Sequence, residues 1–248
     1  MSDFNRDYAR TVATDRADMS VDAGLRSFML GVYNKMALGL VLSAGLAWLT
    51  SQYPPVRDLM FQVDGGRIGY SPLGMAIAFA PLAVLLFGAF AMRNATPRSS
   101  GIIYWLVVGL IGAGLGVLGL VYTGTSIATT FLITATSFGA LSLVGYTTKR
   151  DLTGFGSFLI MGLWGLIIAS VVNLFMHSSM IALMVSVLGV FIFAGLTAYD
   201  TQKLKMQYYQ LGGDQAALGV ATNYGALNLY LDFINLFVLL LRLTGSRR

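Results

Sequence analysis

SSGIIYWLVVGLIGAGLGVLGLVYTGTSIATTFLITATSFGALSLVGYTT, residues 99–148, holds no charged side chain in 50 positions. One membrane crossing takes about 20 apolar residues. The run is therefore long enough for two crossings, and Thr123-Gly124-Thr125-Ser126 supplies a polar turn near its middle. The pattern repeats outward from there. Leu152–Tyr199 is 48 residues without a charge and breaks at His177-Ser178-Ser179. Met36–Val56 and Ile68–Met92 are single charge-free runs of 21 and 25 residues, and Gln215–Leu241 carries only Asp232. Together the runs predict an all-α integral membrane protein, a seven-transmembrane-helix bundle with spans near 31–50, 72–92, 102–122, 127–147, 155–175, 180–200 and 224–243.

Composition agrees. Of 248 residues, 56% are hydrophobic and 11% charged, where a soluble chain carries about 25% charge. Mean hydropathy is +0.72. There is no cysteine, His177 is the one histidine, and all eleven acids are aspartates. Disulfides, thiolate or multi-histidine metal sites and glutamate acid/base pairs are thereby excluded. The net charge of +5 comes from scattered bases, which reads as membrane flanks rather than a nucleic-acid surface.

Residues 1–30 carry four Arg and five Asp and no apolar segment, so they read as a solvated cytoplasmic tail rather than a signal peptide. The transmembrane domain then covers 31–248. Eleven bases fall on the N-terminal side (Arg6, Arg10, Arg16, Arg26, Lys35, Arg93, Arg98, Lys149, Arg150, Lys203 and Lys205) against five opposite (Arg57, Arg67, Arg242, Arg247 and Arg248). This asymmetry puts the N-terminus in the cytoplasm. The basic C-terminus leans the other way, and a re-entrant last segment would bring it back inside.

Within the spans, Gly112 and Gly116 form a small-xxx-small pair, which suits packing inside the bundle or a dimerisation face. Thr130, Thr134 and Ser137 share one helix face; they either line a polar passage or bond their own helix's carbonyls. His177 reads as a solvated loop residue.

Asp200 and Asp232 carry the most information. An ionised carboxylate in hydrocarbon costs roughly 3 kcal/mol or more, so it turns to the bundle interior and finds a partner. Asp232 lies eight residues beyond Tyr224, with Asn228 and Asn235 at i−4 and i+3 as a polar stripe. Asp200 ends the sixth span, with Ser186 and Thr197 on its side and Lys203 and Lys205 a turn later. On consecutive antiparallel spans both acids belong to the cytoplasmic half, where they can meet. Two close carboxylates resist double ionisation and titrate as a unit. Such a pair could share a proton or hold Ca²⁺ between its oxygens, and a helix pair joined by that proton would be a pH-sensitive gate. The plainer alternatives are an interfacial Asp200 paired with Lys203 or Lys205, and a structural Asp232.

These residues carry a family likeness. Phe193-Ala-Gly-Leu-Thr-Ala-Tyr199-Asp200-Thr201-Gln202 and Leu229-Tyr-Leu-Asp232-Phe-Ile-Asn235-Leu-Phe resemble the sixth- and last-span signatures of the Bax inhibitor-1 family, and Tyr33-Asn-Lys-Met-Ala-Leu-Gly-Leu resembles its first span. The resemblance runs from about residue 25 to the end. It implies a seven-helix bundle, a pH-sensitive diaspartyl pair at Asp200 and Asp232, and Ca²⁺ leak across the membrane. Eukaryotic relatives suppress cell death from the endoplasmic reticulum, and some bacterial relatives bind the protease that degrades integral membrane proteins. Arg93 resembles a basic residue some members place at the inner end of the second span. The chain departs from members with a glutamate in that span, since Ala80-Pro81-Leu82-Ala83 has no acid. Absence of cysteine and of a targeting signal suggests a bacterial inner-membrane member.

Three function classes follow. The first is a proton-controlled Ca²⁺ leak channel, with the lipid bilayer, Ca²⁺ and protons as partners and no cofactor beyond Ca²⁺ as permeant or bound ion. The second is an intramembrane aspartyl protease; Leu229-Tyr230-Leu231 replaces that family's Gly-x-Gly, and no proline follows Pro97. The third is a regulator whose tail and cytoplasmic loops bind a membrane protease.

Overall fold

A computed structural model describes residues 23–64, 67–91 and 95–248. The expected tail up to residue 22 and Arg93 lie outside these described residues. The elements are α1 (Ala23–Gln52), α2 (Pro54–Met60), β1 (Phe61–Asp64), β2 (Arg67–Tyr70), α3 (Pro72–Ala91), α4 (Pro97–Gly114), α5 (Gly116–Val121), α6 (Gly124–Thr147), α7 (Thr153–Met176), α8 (Ser179–Gln210) and α9 (Gln215–Thr244). Among the described residues, six stretches are long and apolar enough to cross a membrane: α1, α4 with α5, α6, α7, α8 and α9. The expected span 72–92 appears as α3, a shorter apolar helix interrupted by Pro81.

Polar caps, not hydropathy, set where the helices begin. Thr96 and Ser99 form a reciprocal capping box before α4. Thr123 caps α6 and Ser178 caps α8. Asp214, after the left-handed Gly212 and Gly213, accepts from Ala216 N and Ala217 N at 2.9 and 3.1 Å and starts α9 nine residues ahead of the expected 224. Such caps satisfy amide donors that a helix start otherwise leaves bare. At its other end α8 runs ten residues past the expected end at 200, closing on the bond from Leu211 N to Gln207 O. The first span begins at Ala23 rather than 31, with Leu25, Phe28 and Met29 buried.

The expectation of an all-helical chain is corrected at one place. β1 and β2 form an antiparallel hairpin in register Phe61↔Tyr70 to Asp64↔Arg67. It follows α2 and packs against α2, α3 and α5. The expected single span 102–122 bends at Leu115, where α4 gives way to α5. Tyr70 Oη donates to Gly114 O at 3.0 Å, which ties the hairpin to this bend.

α9 is the central helix, packed against α8, α1, α4 and α6. Its apolar stretch is 56% buried, whereas that of α7 is 11% buried, so α7 presents most of its surface outward. The core gathers around Tyr230, Phe233, Leu229 and Leu241 of α9 with Leu25 and Val32 of α1 and Tyr104 and Val107 of α4. Gly112 and Gly116 lie against Ser43 and Thr50 of α1, so this small-residue seam serves packing inside the bundle. Thr134 Oγ1 donates to Thr130 O at 2.8 Å, a bond to its own helix. His177 is exposed and left-handed at the C-cap of α7.

Candidate functional site

Two close contacts set the antiparallel register of α8 and α9: Leu204 fills the space over Gly225, and Leu239 the space over Gly189. On that register Asp200 is level with residues 228–229, so Asp232 stands roughly one turn, about 5 Å, farther along α9. The two carboxyls bridge the offset and come within hydrogen-bonding reach of each other. Asp232 is 5% exposed, and its Oδ2 is buried with no donor bonded to it. Asp200 is half-buried, ten residues short of the end of α8.

Neither lysine downstream makes an ion pair with Asp200. Lys203 Nζ stands over the Tyr199 ring, 5.9 Å from its centroid, and acts on Asp200 only from a distance. Lys205 Nζ donates to Tyr146 O at 2.9 Å. Among the described residues, the one ion pair is Arg57–Asp58 in α2.

The supporting residues fall differently from their expected roles. Asn228 and Asn235 are exposed, and Asn235 Nδ2 donates to Leu231 O at 2.8 Å. They share a face with each other, while Asp232 is turned some 40–60° inward from both. Thr197 is buried, but its hydroxyl bonds Phe193 O at 2.8 Å; Ser186 does the same with Ala182 O at 2.8 Å. Both hydroxyls satisfy their own helix instead of reaching the acids.

Other residues make the polar contacts between the helices. Thr201, fully buried, lies 3.5 Å from Ser142 Oγ and 3.4 Å from Tyr33 Oη, which links α8 to α6 and α1 beside Asp200. Ser43 Oγ and Tyr230 Oη are 2.7 Å apart between α1 and α9. Lys35 Nζ donates to Asn223 Oδ1, and Asn223 Nδ2 donates to Pro97 O and Ser100 Oγ at 2.8 and 2.7 Å. Lys35 also lies over Tyr104 and Trp105 at 5.3 and 5.9 Å. Its charge at i+2 from Tyr33 was visible in the sequence; the amide that answers it, 188 residues away, was not.

As a cation site the pair offers two carboxyls, and no group of three or more acids or histidines occurs among the described residues. Ca²⁺ takes 6–8 oxygens. Two carboxyls alone fall short of enclosing such an ion.

A sequence-family profile described as "Inhibitor of apoptosis-promoting Bax1" matches residues 25–248. An uncharacterized protein of Caulobacter vibrioides is 62% identical over 100% of both chains. A Rickettsia prowazekii protein is 46% identical over 98% of this chain and 99% of its own. The inner membrane protein YbhL of Escherichia coli is 42% identical over 91% of this chain and 94% of its own. A profile match from α1 to the last residue, with relatives aligned over nearly their whole length on a bundle of membrane-length helices, makes this chain a membrane protein of the Bax inhibitor-1 family.

Proposed function

We propose that the chain is a proton-controlled Ca²⁺ leak pathway of the bacterial inner membrane, with Asp200 and Asp232 as sensor and gate, built on seven crossings with a cytoplasmic N-terminus. The observation that carries the reading is a pair of facing carboxyls, one of them buried, with no cation bonded to either among the described residues. Two full charges about 4 Å apart at an effective dielectric near 20 repel by about 4 kcal/mol. One shared proton removes that repulsion and supplies the donor that Asp232 Oδ2 lacks. It thereby latches α8 to α9. Loss of the proton turns the latch into a repulsive contact, and a divalent cation can substitute for the proton between the same oxygens. The inner-membrane name of the Escherichia coli relative and the base-rich N-terminal side support the compartment and orientation.

The test is Ca²⁺ flux in proteoliposomes from about pH 5 to pH 8, since a coupled pair titrates as a unit. The native chain should show a pH-dependent flux. Asp200→Asn and Asp232→Asn, which keep shape but cannot share a titrating proton, should each flatten that dependence. Unchanged flux and unchanged pH response in both variants would overturn the reading. Cleavage of a membrane-embedded peptide, abolished by Asp232→Ala, would favour the protease class instead.

A further inference from the structure

We infer that Leu40 of α1 and Phe233 of α9 form a hydrophobic gate between two vestibules that enter the bundle from opposite ends. The inference rests on the leak-pathway reading and locates the barrier within it. One cavity, of about 740 Å³, lies between the first half of α1 and the last half of α6, from Arg26 and Tyr146 at its mouth to Phe138. The other, of about 280 Å³, lies between the second half of α1, α5 and the first half of α6, with Gln52 and Arg248 at its mouth. The described residues that line both are Leu40 and Phe233 alone.

Depth agrees between the two. Leu40 is 17 residues into α1 and Phe233 is 18 residues into α9, each roughly 26 Å along a helix. The first cavity's residues on α1 start at Arg26 and the second's end at Gln52. Twenty-six residues of helix span roughly 39 Å, enough to cross the hydrocarbon core of about 30 Å. The barrier is therefore thin, and both sides of it are hollow.

Phe233 is the fixed half of the gate. Its ring is wedged edge-on between Phe131 and Phe138 of α6, with centroids 5.4 and 5.5 Å away. Leu40 is the other half, an aliphatic side chain on α1 that lines both cavities. An apolar constriction stops ions by excluding water; both cavities are mostly apolar, with Tyr33 and Ser142 in the larger and Ser43, Ser51 and Gln52 in the smaller as their polar lining. Ser142 and Tyr33 of the larger cavity both lie against Thr201, the neighbour of Asp200, and Asp232 directly precedes Phe233. A shift of α9 against α8 at the carboxyl pair would thus carry Phe233 with it. The arginines at both mouths lower the local cation concentration, which suits a slow leak.

The test uses the natural absence of cysteine. Single cysteines are placed at Gly139, where an added Cβ meets nothing within 4 Å, and at Ala47 in the opposite vestibule. In sealed vesicles of known orientation, a charged methanethiosulfonate added on the N-terminal side should label Gly139→Cys and not Ala47→Cys; added on the other side it should do the reverse. Leu40→Ala should let the reagent reach both positions from either side and raise Ca²⁺ flux several-fold. Leu40→Trp should lower flux, which guards against a variant that merely loosens the fold. Labelling of Ala47→Cys from the N-terminal side with Leu40 intact would overturn the gate. So would Gly139→Cys that is unreactive from both sides, which would mean that lipid fills the larger cavity. If the Asp→Asn variants leave flux untouched while Leu40→Ala still opens labelling, the sensor reading falls and the gate stands.

Discussion

At Gly112 an added Cβ would stand 2.6 Å from Ser43 Cα, and a helix backbone cannot give way as a flexible side-chain tip can. Gly112→Ala should therefore cost about 1–3 kcal/mol through overpacking, seen as a lower melting temperature in detergent. Gly139→Ala is the matched control. It meets open space, and Ala is the better helix former by up to about 1 kcal/mol, so it should be neutral or slightly stabilising. Equal effects from both would show that helix propensity, not the contact between α1 and α4, governs the seam. The acids were legible at this scale because a carboxylate in an apolar run has few places to go. The asparagines were not. Helical spacing grouped Asn228, Asp232 and Asn235 within an arc too broad to separate inward from outward, and the amide that packs inward, Asn223, looks no different in sequence.

Among the elements, the last four residues do more than their length suggests. After α9 ends at Thr244, Thr123 N donates to Ser246 O at 3.1 Å, Arg248 N to Val121 O at 3.0 Å and Ser246 N to Ser126 Oγ at 3.0 Å. The tail thus stitches α9 to the turn between α5 and α6 and borders the smaller vestibule through Arg248. Ending the chain at Gly245 removes three bonds worth about 0.5–1.5 kcal/mol each. The expected result is faster hydrogen exchange at Val121–Ser126 with unchanged protection around Thr201; unchanged exchange at both would mean the tail is a passive neighbour. Long apolar elements were readable from charge-free runs alone. Their ends were misread by up to ten residues because hydropathy marks where lipid begins, whereas caps such as Asp214 and Ser178 mark where helical bonding begins. The hairpin β1–β2 escaped notice for a related reason: four-residue strands between two spans leave no periodicity long enough to detect.

For the molecule as a whole, the path of the chain constrains how many times it crosses. α1 starts at the end of the bundle where Lys35 meets Asn223 and where Asn223 meets Pro97 and Ser100 at the start of α4. It finishes at the other end, where Thr50 Oγ1 donates to Ala113 O at 3.0 Å. The hairpin sits at that second end, held to Gly114 by Tyr70. To pass from Tyr70 back to Pro97, α3 must traverse the bundle, and its Gly88 and Ala78 indeed lie beside Ile103 and Gly114 at successive levels of α4. An α3 lying in the membrane plane would leave the starts of α1 and α4 at opposite ends, contrary to the bonds of Asn223. The proposed seven crossings would put the two termini on opposite faces. Reporter fusions check this directly. A reporter active only outside the cytoplasm should work after Arg248 and within 65–66, and should be silent at 149–150 and 212–213. Activity at 212–213 with silence after Arg248 would invert the orientation while keeping the crossings. Equal behaviour on the two sides of α3, at 65–66 and at 95–96, would remove α3 as a crossing and with it the seven-span bundle.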